Sequence, residues 1–207
     1  MESAVVDEDG RAQVRTAWTF TVPPGQVWTA LTEAQHVPRW FDTLDPVPRA
    51  VGDRYRLVDS ATEGTVRACA PGSLLALSWE YGTDTSEVEV RLTAPTNAAG
   101  MTDTAGAGAA ACRLELLHTM TADDHWREYG PGATGVGWDG ALLALERYLR
   151  GEDGTDPASM TAFFATAEGH AWIESCARMW EAAHRAAGAS RERAAACRDR
   201  TVAAYTA

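Results

Sequence analysis

The sequence predicts an α+β fold in which a curved antiparallel sheet of about six strands wraps around one long helix. Three observations predict it. A strictly alternating segment, residues 11–22, runs into a short Trp-bearing helical motif, Val27-Trp28-Thr29-Ala30-Leu31-Thr32, with a second at Trp40-Phe41. Further alternating segments follow at even spacing, separated by turn residues. From Gly135 the apolar period then changes from that of a strand to that of a helix and holds to about residue 150. Strands with one apolar face and a helix with one apolar stripe bury each other when the sheet curls around the helix. This is the layout of a helix-grip fold, and it leaves a cavity between sheet and helix.

The elements follow in order. Residues 1–10 are rich in Asp and Glu and read as a disordered acidic tail. In the first strand Ala12, Val14, Thr16, Trp18, Phe20 and Val22 fall on one face, and Pro23-Pro24-Gly25 ends it. Pro24 suits an early helical position, so a short helix carries Val27, Trp28 and Leu31. A second short helix reaches about Phe41, bent or restarted at Pro38. Four strands are expected at 52–58, 64–70, 75–81 and 87–92, with Tyr55 and Leu57, Val66 and Ala68, Trp79 and Tyr81, and Val88 and Val90 as their apolar positions. The Ala-, Gly- and Thr-rich stretch 95–111 reads as a mobile hairpin tip. A last strand, Cys112 to Met120, precedes the long helix, whose stripe is Trp138, Leu142, Leu145 and Leu149. Gly151 and the acidic 151–158 linker end the 11–150 domain, and 159–207 is a separate helical appendage. Its Phe163, Phe164, Trp172 and Trp180 need a surface to cover them, on the same chain or on a second copy.

Composition bounds the function. At 207 residues with 45% hydrophobic content the chain can bury a substantial core. A net charge of -11 repels phosphate backbones and anionic membranes, which argues against nucleic-acid and membrane partners. The basic residues are all Arg, which with abundant Ala and Gly suggests a GC-rich bacterial genome. No apolar stretch is long enough to span a bilayer, and the N-terminus is acidic where a signal peptide is basic, so a cytoplasmic protein is expected. Cys69, Cys112, Cys176 and Cys197 are widely spaced, with no C-x-x-C pair and no His cluster. They read as buried free thiols, with no metal site and no cofactor motif.

The motifs Val27-Trp28-Thr29-Ala30-Leu31-Thr32, Trp40-Phe41, Val51-Gly52-Asp53-Arg54-Tyr55-Arg56-Leu57, Leu75-Ala76-Leu77-Ser78-Trp79 and Gly137-Trp138 stand in a fixed order across roughly residues 11–150. In them the chain resembles the SRPBCC (START/birch-pollen-allergen-like) superfamily, and within it the subgroup related to the C-terminal domain of the activator of heat-shock-90 ATPase. The appendage resembles an extension of some bacterial members. The resemblance implies a ligand cavity without naming a reaction, because members include lipid carriers, cyclases, hydratases and resistance proteins.

The residues expected to line that cavity are Trp40, Phe41, Trp79, Tyr81, His118, Trp126, Trp138 and Leu142. Indole and phenol groups bring both apolar area and a polar handle that can orient a ligand. Core packing is the competing reading for Trp138. The candidates for acid-base chemistry are His118, on the apolar face of the last strand, and the His125/Glu128 pair in the loop before the long helix. The strand neighbours of His118, Leu116 and Met120 among them, offer it no partner. The Gly-rich run 130–137 reads as a flexible hinge gating the cavity. The resemblance adds a second reading, since members that protect producers of radical-forming natural products use a backbone glycine as the hydrogen donor. Three functions follow as expectations. Binding of an apolar or polyaromatic small molecule, for transport or self-resistance, comes first. A cyclase or hydrolase using the same cavity is the alternative, and a chaperone-cofactor-like interaction module is the third. The chain is expected to be a monomer or a homodimer.

Overall fold

The structure, a computed structural model, describes residues 1–94 and 111–207. The hairpin tip expected over 95–111 falls almost wholly outside these ranges. Seven strands form one antiparallel sheet: β1 (Glu2–Glu8), β2 (Arg11–Phe20), β3 (Arg54–Leu57), β4 (Thr62–Ala70), β5 (Leu74–Tyr81), β6 (Asp84–Thr93) and β7 (Cys112–Thr121). Their order across the sheet is β1-β2-β7-β6-β5-β4-β3. The chain crosses from β2 to β3 through α1 (Pro24–Thr32) and a single 3-10 turn at Val37–Arg39. After β7 come α2 (Asp124–Tyr129), the long α3 (Pro131–Leu149), α4 (Pro157–Phe164), α5 (Ala167–Ala186) and α6 (Arg191–Tyr205).

The helix-grip architecture is as expected, with four corrections. Residues 1–10 are not a disordered tail. Glu2–Glu8 pairs with β2 from Glu2↔Ala17 to Glu8↔Arg11. The reversal is the Asp9-Gly10 dipeptide, with φ of 52° and 75°, as a tight hairpin turn requires. Ser3, Val5 and Asp7 turn inward on the alternate positions. Second, the expected helix reaching Phe41 shrinks to the 3-10 turn, because Pro38 supplies no N–H to continue an α-helical ladder. Third, residues 124–129 are helical, started by Asp123, whose carboxylate accepts the Trp126 backbone N–H at 2.9 Å.

The fourth correction concerns the Gly-rich run. It is neither loose nor a hinge, because α3 begins at Pro131 and takes in most of it. Glycine interrupts helices by lacking a side chain to restrict the unfolded state. Here that lack creates room for the appendage. A Cβ added at Gly135 would lie 2.1 Å from the Trp180 ring, and one at Gly132 would lie 2.8 Å from Thr201 Oγ1. The glycine face of α3 is therefore the groove in which α5 and α6 sit. The propensity cost, about 1 kcal/mol per glycine, is offset by burial of Trp180, Ile173, Cys176 and Ala177, each 1% exposed. These residues form a second core with Ala12, Val14, Trp126 and Val136. The first core lies inside the grip and includes Phe20, Val27, Leu114, Leu142 and Leu145.

One buried carboxylate fastens the two cores. Asp139 on α3 is fully buried. Its Oδ1 accepts from Thr16 Oγ1 of β2 at 2.8 Å, and its Oδ2 accepts from Trp180 Nε1 of α5 at 2.8 Å.

The packing predicts an inverted outcome for a helix-favouring substitution. Gly135→Ala should lower the urea-unfolding free energy by about 1–3 kcal/mol although Ala is the better helix former. Gly25→Ala in α1, where a Cβ meets nothing within 4 Å, should be neutral or slightly stabilising. If Gly135→Ala is also neutral, the appendage does not sit in the glycine groove.

Candidate functional site: an aromatic cavity inside the grip

The site is built by elements that meet at the open side of the sheet. α1 starts with Pro24 and ends where Thr32 Oγ1 donates to the Trp28 carbonyl at 2.8 Å. The 3-10 turn then carries Trp40 back under α1, where its Nε1 donates to the Ala30 carbonyl at 2.9 Å. That bond fixes the Trp40 ring and presents Phe41 beside it. Phe41 stacks on Trp40 at 5.1 Å between centroids and on Trp138 of α3 at 5.9 Å. Trp79 of β5 meets Trp138 edge to face at 5.3 Å. Such offset and edge-on arrangements are those in which aromatic quadrupoles attract.

Between this cluster and the concave face of β3–β7 lies a cavity of about 510 Å³. That volume falls within the range of small-molecule sites. Trp40, Phe41, Trp79, Trp138 and Leu142 stand on its wall, as the sequence suggests. Tyr81, His118 and Trp126 do not. Tyr81 has the inward parity of β5 but lies at the strand's end, 61% exposed. Trp126 is buried in the second core, its Nε1 donating to Asp7 at 2.9 Å. His125 and Glu128 are both exposed on α2, where the His125 ring packs on Tyr129 at 4.8 Å, and neither lines the cavity.

Sequence reasoning missed Trp28, Tyr55, Cys69 and Arg49 as wall residues. For Cys69 the cause is a register shift between Val66 and Ala68, after which Cys69 rather than Ala68 opposes the inward Leu75. A bulge of this kind reverses the parity of everything beyond it. Cys69 is therefore an exposed thiol, while the other three cysteines are buried as expected. A smaller cavity of about 180 Å³ lies on the other side of Trp40 and Phe41, between α3 and the appendage.

His118 sits one layer behind the wall, and it does have partners. Trp138 Nε1 donates to His118 Nδ1 at 3.0 Å, which places the proton of a neutral ring on Nε2. Nε2 faces Ser86 Oγ at 2.8 Å, and Ser86 Oγ donates to the Trp79 carbonyl at 3.2 Å. The partners come from β6 and α3, so no pattern within the strand reveals them. Burial pushes the His118 pKa down to about 4. The ring is thus a neutral brace for Trp138. The other perturbed acid, Asp139, has its pKa pushed up to about 6 by burial, against the pull of the Trp180 and Thr16 hydrogen bonds.

Sheet, gripped helix and apolar cavity define a helix-grip protein of the SRPBCC class. Residues 21–150 match the family described as Activator of Hsp90 ATPase homolog 1-like protein, and the chain belongs to that family. Among solved structures it is similar to CalU16 from Micromonospora echinospora, at 23% identity and a TM-score of 0.63 over 90% of this chain and 96% of that one. It is also similar to DynU16, a protein of the dynemicin biosynthetic locus, at 22% identity and a TM-score of 0.51 over 69% of this chain and 48% of that one. An HSP90 activator from Plasmodium falciparum is 18% identical, with a TM-score of 0.52 over 67% of this chain and 96% of that one. These likenesses show the fold. No curated protein matches the chain. Among the described residues no helix is long and apolar enough to cross a membrane.

His118 and Asp139 bear on pH dependence with opposite signs. A His held at about 4 against an ordinary 6.5 contributes stability above about 6.5 and loses it as pH falls towards 4. An Asp held at about 6 against 3.8 carries a burial penalty above about 6 that is relieved as pH falls towards 3.8. Each contribution is on the order of 3 kcal/mol, so the two offset one another through the same window. Asp139→Asn should therefore lose stability between about pH 7 and 4.5 more steeply than the wild type, and His118→Gln less steeply. His184, also held low by burial, is common to all three proteins. Parallel urea midpoints across that range would show that neither group is perturbed.

Proposed function

We propose that this protein binds an apolar or polyaromatic small molecule in the cavity between sheet and α3. The carrying observation is the cavity itself, about 510 Å³ and walled by Trp28, Trp40, Phe41, Trp79 and Trp138 together with branched aliphatic side chains. Aromatic walls of this kind exchange ordered water for stacking contacts, the usual source of affinity for flat apolar ligands. DynU16, which shares the fold, is a protein of the dynemicin biosynthetic locus, and a natural-product ligand, with a role in its transport or in self-resistance, is part of the proposal. A cytoplasmic monomer or homodimer suits that role. Binding is favoured over turnover because no His, Asp or Glu among the described residues lines the wall, and His118 behind it is already engaged.

The neutral fluorophore N-phenyl-naphthylamine tests the reading. It should bind saturably with a blue-shifted emission and quench the Trp fluorescence. Phe41→Ala and Trp79→Ala should each weaken it about five- to tenfold, the equivalent of about 1–1.4 kcal/mol. His125→Ala should leave it unchanged. If both cavity variants stay folded and bind as the wild type does, the wall residues are core and the cavity is not a binding site.

A further inference from the structure

The polar groups on the cavity wall are unequally committed. Tyr55 Oη donates to the Ser78 carbonyl at 2.7 Å, Thr32 donates to Trp28, and the indoles of Trp40 and Trp138 donate to Ala30 and His118. Of the nitrogen-bearing side chains on the wall, two indoles and one guanidinium remain for a ligand. The indole N–H groups of Trp28 and Trp79 have no hydrogen-bond partner among the described residues, and both rings stand on the wall. Arg49 is the one charged side chain on that wall among the described residues, and no Asp or Glu lines it. Arg49 is exposed, so it stands where that wall meets solvent, and it joins none of the ion pairs of the described residues, although carboxylates outnumber cations in this chain by 29 to 18. Two carboxylates lie four residues away in sequence; Asp45 forms no ion pair with Arg49 among the described residues, and Asp53 is otherwise engaged. Its Oδ2 accepts the backbone N–H of Arg49 at 2.9 Å and of Ala50 at 3.0 Å. That clamp fixes the loop that carries Arg49 and leaves the guanidinium free.

An apolar interior whose one charged side chain is a cation, with free indole N–H donors beside it, favours one ligand chemistry. We propose that the cavity selects an amphipathic organic anion, an aromatic body with an acidic group that Arg49 receives at the mouth. This rests on the proposed binding function and narrows it. A guanidinium offers several N–H groups in a fixed fork suited to a carboxylate or sulfonate. The overall negative charge repels anions from the rest of the surface, so a single local cation decides where the acidic group can stand.

Two probes with one aromatic body separate this from simple apolar binding. Anilinonaphthalene sulfonate is N-phenyl-naphthylamine with an added sulfonate. The wild type should bind the sulfonate at least as tightly as the neutral probe, and added salt should weaken only the sulfonate. Arg49→Gln should weaken the sulfonate about three- to tenfold and leave the neutral probe within about twofold, which also reports that the cavity is intact. Arg49→Lys should keep most of the sulfonate affinity. Arg67→Gln, which removes an exposed cation from β4 that is not on the wall, should change neither. If the neutral probe binds and Arg49→Gln does not distinguish the two, or Arg67→Gln matches its effect, the selectivity inference falls and the binding function stands. If neither probe binds the wild type, both fall.

Discussion

The Asp139 carboxylate is the point on which the structure turns. A fully buried carboxylate is costly unless its oxygens are hydrogen-bonded, and both of these are, each by a different element. Thr16 brings the second strand of the sheet to α3, and Trp180 brings α5. A single α-helix thereby acquires a fixed rotation about its own axis. The residues on either side of Asp139 then have no choice of direction. Trp138 turns towards the cavity, and Gly135, Val136 and Gly140 turn towards the appendage.

The appendage follows from the same constraint. The family match ends at residue 150, yet the apolar residues of α5 and α6 have the α3 groove and the β1–β2 end of the sheet as a partner. A helix gripped by the sheet on one side and covered by two helices on the other is held more rigidly than one with a solvated back. Rigidity of α3 is rigidity of the cavity, since Trp138, Ala141 and Leu142 are its share of the wall. Preorganised walls lower the cost of binding by having little left to order. His118 adds to this from the sheet side, where it keeps the Trp138 indole engaged.

Much of this is legible in the sequence, and the exceptions have physical causes. The strands with clean alternation and the Trp-bearing crossover give the grip, and they place Trp40, Phe41, Trp79, Trp138 and Leu142 correctly on the wall. Alternation identifies the inward face but not where the cavity stops, so Tyr81 at the rim shares a parity with Trp79 in the interior. A bulge carries no residue signature here, which hides Cys69. In the Gly-rich run of α3 composition misleads, because glycine looks like flexibility until the Trp180 ring is seen against it. The N-terminal strand is a different failure. Its Asp9-Gly10 turn and the alternation of Ser3, Val5 and Asp7 are hairpin signals, obscured by an acidic composition that weighs on solvation more than on pairing. The partners of His118 and Asp139 come from strand register and helix rotation, which only the assembled fold supplies.

The distribution of titratable groups bears on what such a cavity is suited to do. General acid-base chemistry needs a group of tuned pKa in contact with the reacting atom. Of the groups that burial has tuned, Tyr55 is on the wall with its hydroxyl pushed up and committed to the Ser78 carbonyl, and three others stand one layer away. His118 is behind Trp138, Asp139 is on the back of α3, and Cys112, its thiol pushed up to about 11 by burial, is in the core beneath. Each is neutral or internally satisfied, and His118 and Asp139 hold a neighbouring aromatic ring in place. The wall they support is itself almost uncharged, with Arg49 at its mouth. Ionisable groups that position aromatic surfaces, rather than face the cavity, leave its shape and its apolar lining as what the wall presents.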